Sequence, residues 1–190
     1  MKDIDVFIPG ANDENIDFSN SIISLGSNTA NASAPVIKII NEAIGVERAF
    51  INTIHGYSNS NRLADVTGEG FRQNRAAGEN IIPSKTSSSI VIEKALPFLK
   101  NKITSSSMTV PVPDGSIVDL TIDVKKKTSA REINKIIEEN LSSKFISQRI
   151  GITYDPIVSS DVVGNSLSGL IDGQSTKDIG VRKIKILIFW

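Results

Sequence analysis

The sequence predicts an α+β domain, and three local patterns predict it. A helical repeat runs from Asn28, an alternating run covers Ser116–Val124, and a capping box opens at Ser129. At 190 residues, 39% of them hydrophobic and 22% charged, the chain is sized for one domain with a substantial core. Twenty-one basic and twenty-one acidic residues cancel, so net charge selects neither nucleic acid nor an anionic membrane as a partner. Met1–Phe7 carries Asp3 and Asp5 where a signal peptide needs an apolar core, and Ile184–Trp190 is too short to span a bilayer. The expectation is a cytoplasmic protein. With no cysteine and one histidine, His55, disulfides, thiol nucleophiles and the usual zinc sites are excluded together.

Asp5–Gly10 reads as a short opening strand ended by Pro9-Gly10, followed by a polar linker before Ile22-Ile23 resume an extended pattern. Val36, Ile37, Ile40, Ala43 and Ile44 recur at helical spacing, with Pro35 in the first turns and Gly45 as terminator. Val46–His55 is β-branched and aromatic, a strand that ends on the lone histidine. Gly56–Asn80 has neither period. A loop of that length is functional, disordered or held by a neighbour, and the retained Leu63, Val66 and Phe71 argue against simple disorder.

Thr86–Leu99 reads as a second helix, with Thr86 as N-cap and Pro97 marking its end. Met108–Val112 and Ser116–Val124 read as a hairpin closed by Pro113-Asp114-Gly115, with Val118, Leu120, Ile122 and Val124 on one face. Ser129-x-x-Glu132 precedes Ile133, Ile136, Ile137 and Leu141, a third amphipathic helix. Further strands are expected at Ile152–Tyr154, Leu167–Asp172 and Arg182–Trp190. The order gives a mixed, largely antiparallel sheet with its helices on one face. Lys125-Lys126-Lys127 is most simply a solvated strand end, with a polyanion contact as the lesser alternative.

Ser27-Asn28-Thr29-Ala30-Asn31-Ala32-Ser33-Ala34-Pro35, followed after one helix by Asn52–Asn59, resembles the catalytic half of glyceraldehyde-3-phosphate dehydrogenases. Arg72-x-x-Arg75-Ala76-Ala77, Asn80–Thr86, Val110-Pro111-Val112-Pro113-x-Gly115-Ser116 and Pro156-x-Val158-Ser159-Ser160-Asp161 follow in the family's order. The resemblance covers essentially all of 1–190 as one catalytic-type domain. It implies a sheet with helices on one face and neighbouring subunits on the other, a 56–80 loop that joins subunit contacts, and a homo-oligomer, dimer or tetramer. It also implies that the family's amino-terminal nucleotide-binding domain is absent from this chain. No glycine-rich turn after a strand replaces it. No cofactor is therefore expected of the chain itself, NAD entering only if another chain supplies a nucleotide-binding domain.

The family's reaction needs a thiolate at the amino end of the first helix, where free N–H groups and the helix dipole favour an anion. Asn28 stands at that position, and the family's second cysteine, four residues on, is Ala32. A carboxamide forms neither hemithioacetal nor thioester, so covalent catalysis by that route is lost. His55 matches the acid/base histidine, although a hydrogen-bonded strand-end histidine is the simpler reading of it.

By the same comparison Ser58 matches a phosphate-site threonine, with Arg72 and Arg75 near that site, while Ser27, Thr29 and Thr86 stand at helix starts, a general anion-binding arrangement. Phosphate or sulfate is the ligand they would take, and Lys85 could restore charge. The arginine preceding Val-Pro-Val-Pro is Thr109 here, removing a bidentate cation. Helix capping alone accounts for Ser27, Thr29 and Thr86 without any ligand. Three functions follow: a non-catalytic module for assembly or anion sensing, a fragment of an NAD-dependent enzyme, or a hydrolytic chemistry using His55 with Ser27 or Ser58. For the last, no acid is visibly placed to orient the imidazole.

Overall fold

A computed structural model describes residues 4–15, 17, 19 and 22–190. Its centre is β1 (Val46–Gly56), which takes β3 (Ile103–Val110) as a parallel neighbour and β4 (Ile117–Val124) as an antiparallel one. The short β2 (Ile82–Ser84) edges β3. Beyond β4 lie β8 (Lys183–Phe189), β6 (Gly169–Asp172) and β5 (Ile150–Thr153), and the two-residue β7 (Lys177–Asp178) pairs with β8. The sheet order is β2-β3-β1-β4-β8-β6-β5. Its pairings are mostly antiparallel, with β1–β3 and β5–β6 the parallel ones.

Helix α1 (Asn28–Ile44) forms because Ser27, in extended conformation, accepts the Ala30 N–H at 3.2 Å on its side chain. It ends because Gly45, at φ 76°, takes a conformation that a side chain would resist while donating to the Asn41 carbonyl. Pro35 falls within the helix and is tolerated there, and it is buried. The lysine run acquires a local purpose at this helix's end: Lys126 donates from Nζ to the Ala43 carbonyl at 3.2 Å. A cation there offsets the negative end of the helix dipole.

α1 lays Val36, Ile37, Ile40 and Ile44 on the inner sheet face. There they meet Ile51 of β1, Leu120 and Ile122 of β4, and Ile184, Ile186 and Ile188 of β8, all buried. Helix α2 (Ser88–Ala95) adds Ile92. Helix α3 (Ala130–Asn140), capped by Ser129 accepting from the Glu132 N–H at 3.3 Å, adds Ile133 and Ile137. A single-turn α4 (Lys144–Ser147) leads into β5. The fold is α+β, a mixed and largely antiparallel sheet with its helices on the inner face. Among the described residues no helix is long and apolar enough to cross a membrane.

The hairpin expectation is corrected. The run Met108–Val112 and the run Ser116–Val124 do not form a hairpin: β3 and β4 flank β1 on opposite sides. Pro111 and Pro113 cannot donate to a ladder, and the loop between them is wide enough to cross the end of β1. Its passage is tight, for a Cβ on Gly56 would stand 2.7 Å from the Val112 carbonyl oxygen. Tyr57 donates to that same carbonyl at 3.0 Å, and the Gly56 N–H donates to Ser116 Oγ at 3.2 Å.

The opening strand is likewise reduced to a single parallel bridge, Val6 with Ser24, fastened by Asn12, whose side chain bonds Ile8 and Val6. Part of the linker, at positions 16, 18, 20 and 21, lies outside the described residues. The second helix is shorter than expected, ending at Ala95 before a 3-10 turn over Pro97–Leu99. Its cap is Ser87 rather than Thr86, whose hydroxyl accepts the Ser88 N–H at 3.2 Å one step earlier.

Candidate functional site

The amino ends of α1 and α2 converge over the carboxyl ends of β1 and β3. They enclose a cleft of about 390 Å³ lined by Ser27, Asn28, Thr29, His55, Lys85 and Thr86, with Thr53, Ser87, Ser88 and Ser107 as its remaining walls. The sheet supplies the floor by register: Thr53 stands opposite Ser107 and His55 opposite Thr109 across the β1–β3 ladder. Thr53 is buried and faces Thr29 Oγ1 at 3.4 Å, which ties the first turn of α1 to the strand beneath it. Ser33 then donates to the Thr29 carbonyl at 2.6 Å.

Asn28 is the first residue of α1 and its side chain is exposed at the cleft. Asn31 has a different task. Its Nδ2 donates to the Leu25 carbonyl at 2.8 Å and to the Ser27 carbonyl at 3.0 Å, holding the incoming chain against the helix start. His55 Nδ1 lies 2.6 Å from the Gly56 carbonyl oxygen, an acceptor, so Nδ1 carries the proton of the neutral ring and Nε2 keeps its lone pair. Trp190 packs edge-on against the imidazole, ring centroids 5.6 Å apart at 87°. The ring is thereby oriented without an acidic partner.

Thr109, standing where the resemblance expects an arginine, is buried and bonds Ser84 Oγ at 3.1 Å. A closed hydroxyl pair occupies that position. Lys85, next in sequence to Ser84, is exposed and lines the cleft, so it is the cationic side chain the cleft retains.

Three of the sequence-derived site residues are not brought to this cleft. Ser58 sits in an exposed turn, bonded to Ser60 Oγ at 2.9 Å. Arg75 pairs with Asp65 at 2.9 Å and borders a separate hollow with Leu63 and Glu79. Arg72 is exposed on the same loop. Conversely Thr53, Ser88 and Ser107 escaped sequence reasoning. Ser107 lies in a hydroxyl run, Ser105-Ser106-Ser107, that hides a strand, and only the strand register shows which of these hydroxyls shares the cleft. Among the described residues no group of histidine and acidic side chains is placed to hold a metal ion.

The chain is thus a mixed, largely antiparallel sheet with helices on one face and two helix starts over one strand-end imidazole. The chain belongs to the family described as glyceraldehyde 3-phosphate dehydrogenase, C-terminal domain, whose model matches residues 27–190. Among its relatives, the glyceraldehyde-3-phosphate dehydrogenase of Borreliella burgdorferi is 38% identical over 189 residues, 99% of this chain and 56% of that protein. Glyceraldehyde-3-phosphate dehydrogenase 1 of Bacillus subtilis is 33% identical over 184 residues, 96% of this chain and 55% of that protein. The enzyme of Clostridium pasteurianum is 36% identical over 182 residues, 95% of this chain and 53% of that protein. The chain thus spans a little over half the length of these relatives.

Proposed function

We propose that this chain is a dehydrogenase-type domain without covalent catalysis, keeping its cleft as a weak site for phosphate or sulfate and serving an assembly of like subunits. The observation that carries the reading is Asn28, exposed at the first position of α1 over the cleft that His55 lines. A carboxamide has no electron pair basic enough to add to an aldehyde, so the imidazole has no nucleophile to activate. Thr109 supports it further, since its hydroxyl pair with Ser84 cannot grip a phosphate as a guanidinium would. Lys85 and the N–H groups of two helix starts remain for a small anion.

The residues do not fit a dinucleotide. The crossover from β1 to β3 through α2 is parallel, but α2 opens on Thr86-Ser87-Ser88, without the glycines that let a backbone approach a pyrophosphate. NAD would need a nucleotide-binding domain from elsewhere. That second reading, half of a working enzyme, is favoured by the coverage of the relatives and by the Borreliella burgdorferi match extending ahead of residue 27, where the family model begins.

One assay separates the two. The chain is mixed with a relative's nucleotide-binding domain, NAD, phosphate and glyceraldehyde 3-phosphate, with that relative's own catalytic domain as the positive control. No rise in NADH absorbance is expected from this chain where the control turns over. NADH formation by this chain would end the non-catalytic reading.

Assembly is supported by the outer sheet face. Ile54 stands in register with Met108 and Ile117, an apolar row with Met108 37% exposed, and Phe189 of β8 pairs with Ile117 at its end. On the 56–80 loop Leu63 and Phe71 are exposed, Phe71 to 92%. Apolar surface of this kind is covered in stable proteins, most simply by symmetric copies. Light scattering is expected to give a dimer or tetramer that Met108→Glu shifts toward monomer. A monomeric parent at working concentration would contradict assembly through this face.

A further inference from the structure

The chain gives His55 no nucleophile of its own, yet it keeps the parts that activate a water molecule. In the neutral ring Nδ1 donates to the Gly56 carbonyl oxygen at 2.6 Å, so Nε2 is the basic nitrogen, on a residue that lines the cleft. That carbonyl and the edge of Trp190 fix the ring where a triad would use a carboxylate. A purely structural histidine would need nothing more. The sheet, however, places an unengaged hydroxyl beside it.

Strand alternation and the β1–β3 register put Thr53, His55, Ser105, Ser107 and Thr109 on the inner face. Most of their hydroxyls are already engaged: Thr53 faces Thr29 at 3.4 Å, Ser105 donates to Ser89 at 3.0 Å, and Thr109 pairs with Ser84 at 3.1 Å. Ser107 is the exception. It is half-buried, lines the cleft, and its hydroxyl has no partner among the described residues. Ser107 stands one register step from His55, a diagonal of about 7 Å that a histidine side chain and one bridging water span.

The other half of the requirement is a place for negative charge to develop. In α1 the Ala30 N–H is taken by Ser27 Oγ at 3.2 Å and the Asn31 N–H by the Ser27 carbonyl at 2.9 Å. The N–H groups of Asn28 and Thr29 come earlier in the first turn and have no intrahelical acceptor. Donors so placed stabilise the oxyanion formed when water adds to a carbonyl. Lys85 adds a cation, and among the described residues no acid lines the cleft to oppose it. At about 390 Å³ the cleft takes a substrate of few atoms.

We propose that this cleft hydrolyses small carboxylic esters by general-base catalysis, His55 activating a water that Ser107 positions. Nε2 takes a proton as the water oxygen bonds to the ester carbonyl carbon, and the C=O electron pair moves onto oxygen, facing the Asn28 and Thr29 N–H groups. Collapse restores the C=O bond and breaks the C–O bond to the alcohol. The imidazolium returns its proton to the departing alkoxide. Ester and water become acid and alcohol, with no cofactor and no acyl-enzyme, so the step goes beyond anion binding without restoring covalent catalysis.

The test is hydrolysis of p-nitrophenyl acetate by the full chain, corrected for the buffer rate. Saturable turnover is expected, slower in D2O and without an initial burst. His55→Gln is expected to lose about a hundred-fold in kcat. Ser107→Ala is expected to lower kcat about ten-fold with KM unchanged, and Ser107→Thr to restore most of it, a rescue that a purely structural serine would not show. Circular dichroism checks that each variant folds. Hydrolysis no faster than buffer, or a His55→Gln protein as active as the parent, would overturn the proposal. So would an acetyl group accumulating on His55 or Ser107, which would make a side chain the nucleophile. Phosphate binding is measured separately by calorimetry on the same chain, so loss of this activity and loss of the anion site are told apart.

Discussion

The Gly115→Ala protein is expected to lose about 3 kcal/mol or more of folding stability, and Gly164→Ala no more than about 1 kcal/mol. Both glycines sit at φ +80°, so the cost of placing a side chain in the left-handed region is common to the two. They differ in what the new methyl group meets. At Gly115 it would stand 2.1 Å from the Ser159 carbonyl oxygen, a backbone atom that cannot rotate away, whereas nothing lies within 4 Å at Gly164.

The contact matters because Gly115 is in the loop that carries the chain from β3 over β1 to β4, and Ser116 beside it pairs with Trp190 through both backbone groups. Displacing the loop therefore loosens the end of β4 and the floor beside His55 together. Trp190 is the only tryptophan, so urea unfolding followed by its fluorescence reports on this region directly. Equal losses for the two variants would show that the loop does not make the crossing described.

How the chain connects its strands was the part least legible in the sequence. α1 was readable because its apolar period is unbroken and Gly45 punctuates it, and β4 because Val118, Leu120, Ile122 and Val124 alternate into the core. Pro113-Asp114-Gly115 bends the chain without a hydrogen-bonded turn, and a bend states only that the chain changes direction. The partner of each flanking strand is decided by which neighbour buries most, and β1, eleven residues long, takes both. β3 is legible only from Met108 onward, because Ser105-Ser106-Ser107 resembles a loop until Ser89 and Asn52 are seen to bond the Ser105 and Ser106 hydroxyls. β2 and β7, at three and two residues, carry no period to read.

The site was legible where it follows regular elements. Ser27, Asn28 and Thr29 are fixed by the start of α1 and His55 by the end of β1, and they meet in one cleft. Ser58, Arg72 and Arg75 belong to the aperiodic 56–80 loop, whose path depends on local bonds such as Arg75 with Asp65. Order along the chain gave those residues a place in a list of matches, but not a place in space.

Asn28→Cys is expected to yield a thiol that ionises one pH unit or more below the ordinary value of about 8.5. It would be the only cysteine in the chain, so every readout belongs to it. Its surroundings favour an anion: N–H groups at the start of α1, the positive end of a seventeen-residue helix, and Lys85 on the same cleft wall. Each stabilises a thiolate over a thiol.

The gain in alkylation rate at pH 7 is modest, because a less basic thiolate is also a weaker nucleophile, so the midpoint of the pH profile carries the information. An exposed reference, Ser166→Cys, gives the unperturbed profile. The decisive measurement is the rate of iodoacetamide alkylation of Asn28→Cys against pH. A midpoint at least one unit below that of the reference is predicted, meaning that the anion-stabilising cleft survives and that Asn28 is what removes its nucleophile. A midpoint equal to or above the reference would contradict the account.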